Sequence, residues 1–171
     1  MFDALALDRP MLEAGQLWRL WTGHLVHVDP AHAGLNLTAL VMLAVVAVRS
    51  QAMGRLLLAS LVLMPVISIG VLLLLPDLQW YAGLSGLLHG WLAWLLVQRR
   101  GIVAVVGLAL LGLKLWWEMS SGAVGGTGVS VTTEAHRLGA AGGLVLAWAA
   151  HGWRAARGRG RLTSRSVRAP R

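Results

Sequence analysis

The chain has 171 residues, of which 57% are hydrophobic and 13% charged, and its mean hydropathy is +0.67. This composition, with apolar runs such as residues 56–75, excludes a soluble globular protein and indicates a polytopic membrane protein. Cysteine is absent, which excludes disulfides, thiolate nucleophiles and Cys-ligated metals.

The charges indicate how the chain crosses the membrane. The net charge is +8, and most basic residues fall near residues 49–55, 99–100 and 154–171, whereas the acidic residues fall in the alternate segments, before residue 30 and between the basic ones. Basic segments tend to remain on the cytoplasmic side. The sequence therefore predicts a multi-pass membrane protein with the acidic segments outside and the basic carboxyl terminus in the cytoplasm. This placement favours contact with anionic lipids over nucleic-acid binding.

Residues 1–29 contain neither an apolar run long enough to cross a membrane nor a signal-peptide pattern. Trp18, Trp21 and Leu25 favour an amphipathic segment that lies in the outer membrane interface, where indole rings accumulate.

Five membrane crossings follow. Asp29 as N-cap and Pro30 in the first helical position predict the start of the first, which runs to Val48. The others are predicted over residues 56–75 with a kink at Pro65, 85–97, 102–117 and 134–153. A flexible, glycine-rich outer loop is predicted over residues 120–133. We expect an all-α polytopic transmembrane helix bundle over residues 1–153 and a disordered basic tail over residues 154–171.

A serine between glycines stands at the start of the predicted crossing 85–97. Counting helical rise back from Arg99 places Ser85 roughly 10 Å below the outer membrane surface. Gly83 and Gly86 permit close approach of a backbone or a substrate, and the free N–H groups of the helix start favour negative charge. A serine hydroxyl needs a base within hydrogen-bond reach to be a nucleophile. Without one, a cap or a packing residue is the commoner role.

His136 supplies a candidate base. It begins the last predicted crossing at the level of Ser85, and Gly139 and Gly143 follow as a GxxxG pair that permits close helix contact. A serine beside an imidazole is the minimum pair for acyl transfer. No acid falls at an obvious third position, so we predict a Ser/His dyad. His89, one turn from Ser85, is a candidate to stack on or orient His136, or a buried histidine satisfied by a carbonyl.

A pair of polar residues stands near the outer end of the first predicted crossing. His32 and Asn36 are spaced i, i+4 and so project from one helix face. Two donors aimed together suit an oxyanion, and equally suit an interhelical polar contact. Four charged residues are predicted to gather at the outer rim, where interfacial anchoring is the favoured role: Lys114, Glu118, Glu134 and Arg137.

Four separated motifs together resemble the rhomboid intramembrane serine proteases. They are Trp18-Arg19, then His27 with His32 and Asn36, then Gly83 to Gly86, then His136 with Gly139 and Gly143. The resemblance covers residues 18–143 and implies a rhomboid-like bundle whose first outer loop is the segment around residues 18–25. It implies that Ser85 is the nucleophile and His136 its base. It also implies an oxyanion hole formed by His32, Asn36 and the Ser85 backbone N–H. We expect no metal and no cofactor.

The small size, the Gly-Leu-Ser-Gly motif followed by His89, and Trp117-Glu118 are similar to the rhombosortase branch of this family. That resemblance implies exported, membrane-anchored substrates whose carboxyl-terminal tail carries a Gly-Gly motif, one apolar span and a basic end. Rhomboids of this kind begin with a span that does not occur here, so we expect the family's first span to be missing.

Three other functions fit the sequence less well. A metal or haem site at His24, His27 and His32 would cross a helix start and has no carboxylate placed with it. A transporter would carry internal inverted repeats, and none is visible. A catalytically silent, rhomboid-like binding protein or chaperone is the serious competitor. Such relatives typically lose the serine or the histidine, whereas this chain retains both.

Overall fold

The computed structural model describes residues 2–121 and 132–166, with residues 152–166 described by their backbone alone. Most of these residues are helical. The helices are α1 Phe2–Leu5, α2 Arg9–Glu13, α3 Arg19–Thr22, α4 Pro30–Arg49, α5 Met53–Leu74, α6 Ser85–Val97, α7 Ile102–Ser121 and α8 Thr133–Ser166. Two short strands, β1 Leu7–Asp8 and β2 Trp80–Tyr81, pair antiparallel.

Two helices begin where the sequence predicts. At the start of α4 the Asp29 side chain accepts a hydrogen bond from the backbone N–H of His32 at 2.8 Å, which confirms the predicted cap. The helix α6 has the predicted bounds, with Ser85 as its first residue. The start of α4 is therefore set by a local side-chain cap, whereas the N-cap residue of α6, Leu84, makes no such bond.

The last two helices are longer than predicted. The helix α7 continues past Trp117 to Ser121, which makes Glu118 a helical residue. The helix α8 continues through residues 154–166, where the sequence predicted a disordered tail; alanine and arginine recur in this stretch and both favour helix. Most of the predicted outer loop, residues 122–131, lies outside the described part of the chain.

Among the described helices, α4, α5 and α7 are each long and apolar enough to cross a membrane. Large apolar side chains are exposed along α4 and α7, and such surfaces suit lipid tails. The helix α6 has 13 residues, and most of its side chains are buried among the other helices. The chain is therefore an integral membrane protein, an all-α bundle with α6 at its centre.

Glycines bring the backbones of α6 and α8 into contact. A Cβ placed on Gly86 would lie 2.9 Å from the carbonyl oxygen of Ala135, and one on Gly90 would lie 2.8 Å from that of Gly139. Cβ atoms on Gly139 and Gly143 would overlap the carbonyl groups of Gly86 and Gly90. Because no side chain fits between them, this contact fixes how deeply and at what rotation α8 lies against α6.

A proline inside α5 creates a docking point for the segment that precedes α4. Pro65 has no N–H, so the carbonyl of Leu61 lacks its helical donor. The indole Nε1 of Trp21 donates to this carbonyl at 2.9 Å. One turn further along, His24 Nε2 donates to the Met64 carbonyl at 2.9 Å. The segment around α3 is thereby bonded to the part of α5 where Pro65 leaves a carbonyl without its helical donor.

His24 is fully buried in this contact. Its Nε2–H also lies 3.1 Å from the hydroxyl of Ser68, which in turn donates to the carbonyl of Leu20 at 2.9 Å. The His24 ring meets Tyr81 edge to face, with centroids 5.4 Å apart. Burial lowers the pKa of His24 to about 4, so the ring is neutral at pH 7. His24 therefore joins α3, α5 and the chain before α6.

Arg19 holds the amino-terminal segment in place. Its side chain is buried and donates to the carbonyls of Asp3 and Ala6 at 2.9 and 2.6 Å, and to the Gln16 side-chain oxygen at 2.7 Å. Arg9 donates to the carbonyl of Leu75, just past the end of α5, at 3.2 Å. These charge-assisted bonds tie the amino-terminal segment to the chain around α3 and to the end of α5.

The glycine contact predicts a sharp difference between two helical glycines. Gly139→Ala forces the backbones of α6 and α8 apart and is expected to destabilise the protein by about 1–3 kcal/mol, as overpacking does. Gly112→Ala is the matched control, because a Cβ at Gly112 meets nothing within 4 Å. Thermal unfolding in detergent measures both variants. Equal melting temperatures for the two would contradict the packing described here.

Candidate active site

Ser85 is presented by a short loop that is held on both sides. The hydroxyl of Tyr81 donates to the carbonyl of Gly83 at 2.9 Å, and the N–H of Gly83 donates to the carbonyl of Gly23 at 3.0 Å. Tyr81 also pairs with Leu7 in the strand ladder. The segment around α3 and the strand β1 therefore position the residue that comes two places before Ser85.

Gly83 could not be replaced by another residue without strain. Its φ is +133°, in a region that L side chains rarely adopt. A Cβ there would lie 3.1 Å from Cε1 of His32. The imidazole of His32 therefore lies directly over the backbone that leads into Ser85.

Ser85 and His136 are in hydrogen-bond contact across the α6–α8 interface. The Ser85 Oγ lies 2.8 Å from His136 Nε2. Ser85 is half-buried and His136 is buried. The glycine contact between the two helices, immediately below, makes this approach possible. The structure thus brings together the two residues that the sequence identified as nucleophile and base.

A third residue completes this arrangement, and the sequence analysis missed it. A carboxylate oxygen of Glu118, Oε2, lies 2.9 Å from His136 Nδ1. The sequence predicted that no acid would occupy this position, because Glu118 was assigned to the rim just beyond the end of its helix. Since α7 extends to Ser121, Glu118 is carried on the helix toward α8. The sequence places Glu118 and His136 at a similar depth near the outer membrane boundary, and this shared depth is the signal that could have identified the contact.

The hydrogen-bond partners define the tautomer of His136. A carboxylate only accepts, so Nδ1 carries the proton and donates to Glu118. In the neutral ring Nε2 is then the acceptor for the Ser85 hydroxyl. This is the arrangement in which an imidazole removes a proton from serine. The other carboxylate oxygen of Glu118 is bonded to Lys114, one turn earlier on α7.

His89 covers one face of the His136 ring. The two imidazoles are stacked, with centroids 4.2 Å apart and planes inclined by 15°. His89 is itself fixed, because its Nδ1–H donates to the carbonyl of Ser85 at 2.7 Å. The orientation of His136 is therefore limited by a ring on one face and a hydrogen bond at each nitrogen.

His89, Glu118 and His136 also lie close enough together to suggest a metal site. The geometry disfavours it, because stacked, nearly parallel rings direct their in-plane lone pairs side by side and not toward one ion. Both nitrogens of His136 and the Nδ1 of His89 are already used in hydrogen bonds. The cluster is a hydrogen-bonded network in this structure.

The remaining predicted site residues lie on α4. His32 contacts Gly83 as described, and its ring meets His27 edge to face with centroids 5.3 Å apart. Asn36 follows one turn later on the same face, is 5% exposed, and its amide nitrogen has no hydrogen-bond partner among the described residues. Buried donors are normally paired. Asn36 is thus a donor available to a ligand.

A comparison with protein families matches residues 14–153 to the Rhomboid domain. The chain belongs to the rhomboid family. Rhomboid proteins are generally intramembrane serine proteases that act on membrane-protein substrates within the lipid bilayer. A comparison with curated proteins found no match. The match confirms the rhomboid family that the motifs of the sequence indicate.

The loop before Ser85 generates a prediction for this rhomboid protein. Gly83→Ala pushes the His32 ring and strains the loop, so labelling of Ser85 by a fluorophosphonate is expected to fall about 10²-fold, as for small misplacements of reacting groups. Gly15→Ala is the control, because Gly15 also has a positive φ, +91°, with open space around it. It carries a similar strain of about 1–3 kcal/mol. Parallel loss of labelling in both variants would mean that strain alone matters.

Proposed function

We propose that this protein is an intramembrane serine endopeptidase in which Ser85 is the nucleophile and His136 the general base. The observation that carries the proposal is the 2.8 Å contact between Ser85 Oγ and His136 Nε2, with the ring in the tautomer that accepts the serine proton. Membership of a family of intramembrane serine proteases supports the same conclusion.

In the proposed reaction, Ser85 Oγ attacks the carbonyl carbon of a peptide bond in the substrate, and His136 Nε2 takes the hydroxyl proton. The tetrahedral intermediate collapses when the C–N bond breaks and His136 returns that proton to the leaving amine. The acyl group then remains as an ester on Ser85. A water, or an amine in the case of transpeptidation, loses its proton to His136 and attacks the ester, which releases the product and restores Ser85.

The oxyanion of the intermediate is proposed to be stabilised by three donors: the backbone N–H of Ser85, His32 and Asn36. Support comes from the position of the His32 ring over Gly83 and from the free, buried amide nitrogen of Asn36. The start of α6 adds its own N–H groups. Preorganised donors of this kind typically contribute about 2.7–4 kcal/mol each to catalysis.

The proposed substrates are exported proteins anchored in the inner membrane by a carboxyl-terminal transmembrane tail. The distribution of charge supports an orientation with the site open to the periplasm and the basic carboxyl terminus in the cytoplasm. The motif around Ser85 and His89, which resembles the rhombosortase branch, supports a tail with a Gly-Gly motif, since glycines weaken a helix and expose its peptide bonds.

Fluorophosphonate labelling tests the proposed nucleophile and base. Ser85→Ala is expected to abolish labelling, because no other hydroxyl replaces Oγ, and His136→Ala is expected to lower it by about 10²–10⁴-fold, the usual contribution of a general base. Ser120→Ala and His151→Ala are matched controls, since among the described residues the Ser120 hydroxyl bonds to the carbonyl of Trp116 in its own helix and His151 is exposed. Unchanged labelling in Ser85→Ala would refute Ser85 as the nucleophile, and a wild-type chain that takes no label would favour a silent binding protein.

Co-expression with a candidate substrate tests the substrate class. A membrane-anchored protein with a Gly-Gly tail is expected to be cleaved by the wild-type chain and left intact by Ser85→Ala. Mass spectrometry of the new carboxyl terminus distinguishes a free carboxylate, the product of hydrolysis, from an added amine, the product of transfer. Cleavage of a tail without the Gly-Gly motif at the same rate would remove the proposed selectivity while leaving the protease intact.

A further inference from the structure

Glu118 has no role in a two-residue mechanism, yet it contacts the base directly. Its side chain is 11% exposed, although it stands at the end of a helix whose other side chains mostly face outward. A carboxylate kept at low exposure in a membrane protein is costly unless it is paired. Its position therefore requires an explanation beyond anchoring at the rim.

The neighbouring lysine shows that the pairing with His136 is not needed for charge neutralisation. Lys114 lies one turn away on α7, and an i, i+4 pair could occupy Glu118 on the surface of a single helix. In the structure the carboxylate divides its oxygens, with Oε1 bonded to Lys114 and Oε2 to Nδ1 of His136. Lys114 thus holds the carboxylate as an anion and leaves one oxygen aimed at α8.

We propose that Glu118 is a positioning residue for the reaction, which acts through His136, so that α6, α7 and α8 each supply one member of a Ser–His–Glu triad. This inference rests on the proposed function of Ser85 and His136. The carboxylate holds the proton on Nδ1, which keeps Nε2 free to accept from Ser85. It also stabilises the imidazolium that forms when the serine proton is taken.

The stacked ring of His89 restricts His136 in one respect and leaves another to the carboxylate of Glu118. Stacking fixes the plane of the His136 ring but does not select which nitrogen carries the proton. Without Glu118, the ring can protonate at Nε2 and donate to Ser85, a form that cannot act as a base. The two neighbours therefore have separate tasks: His89 sets the plane and Glu118 sets the tautomer.

Saturation kinetics of fluorophosphonate labelling on the full-length protein in detergent test this role. Glu118→Gln and Glu118→Ala are expected to lower the maximal rate of labelling about 10²-fold or more, with the half-saturating probe concentration unchanged. Glu118→Asp, which keeps the charge, is expected to retain more activity than Glu118→Gln. Glu134→Gln is the matched control, because Glu134 is a helical glutamate whose hydrogen bonds among the described residues are to Thr133 and Arg137.

The outcomes separate the two proposals. A maximal rate in Glu118→Gln equal to that in Glu134→Gln would overturn the role of Glu118 while Ser85 and His136 remain in place. Labelling that survives Ser85→Ala would instead overturn the assignment of Ser85 as the nucleophile, on which the role of Glu118 rests. A merely structural role would lower the melting temperature of Glu118→Gln and Glu118→Asp alike, without the graded recovery of rate.

A second measurement needs no change at Glu118. In protein labelled with ¹⁵N-histidine, the His136 resonances are identified by their loss in His136→Ala. At a pH where the ring is neutral, the proposal requires the proton on Nδ1 and a nitrogen shift typical of an unprotonated Nε2. A ring protonated on Nε2 would overturn the inference even if every Glu118 variant failed to fold.

Discussion

The backbone contact between α6 and α8 is the constraint on which the rest of this structure depends. Because Gly86 and Gly90 face Gly139 and Gly143 with no side chain between them, the two helices come close enough for the first-turn residues of each to touch. A larger residue at any of these positions would separate Ser85 from His136. In a membrane, where water offers no hydrophobic force between helices, small residues supply the close packing that holds such a pair together.

A second constraint fixes the loop that leads into α6. It begins at Pro65, where the helix α5 lacks one backbone hydrogen bond. Pro65 frees the carbonyl of Leu61, which accepts a hydrogen bond from Trp21, and His24 donates to the carbonyl of Met64, three residues further along α5. Once that segment is docked, the carbonyl of Gly23 receives the N–H of Gly83. The contact at Pro65 in α5 is therefore linked, through the hydrogen bond between Gly83 N–H and the Gly23 carbonyl, to the loop residue that lies against His32. The packing of α8 against α6 determines the position of His136, and this series of hydrogen bonds determines the position of the loop that carries Ser85.

The sequence was informative where a local rule determines the structure. The cap at Asp29 and the glycine pair on α8 each follow from neighbours in the chain. The partner of a side chain on another helix does not, because it depends on rotation about the helix axis. Glu118 lies 18 positions before His136, and its contact required α7 to extend to Ser121 and to turn one particular face toward α8. The sequence showed that Glu118 lies near the membrane depth of His136, but it did not show which way the Glu118 side chain faces.

The same reasoning explains why the site is built from residues that constrain one another. An imidazole in a water-poor bundle has two nitrogens and two faces, and each unsatisfied group would be costly. For His136, Ser85 and Glu118 occupy the nitrogens and His89 occupies a face. Lys114 then neutralises the carboxylate that this requires. Each polar group thus satisfies the one before it, so the buried His136 is accompanied by a hydrogen-bonded network that spans three helices.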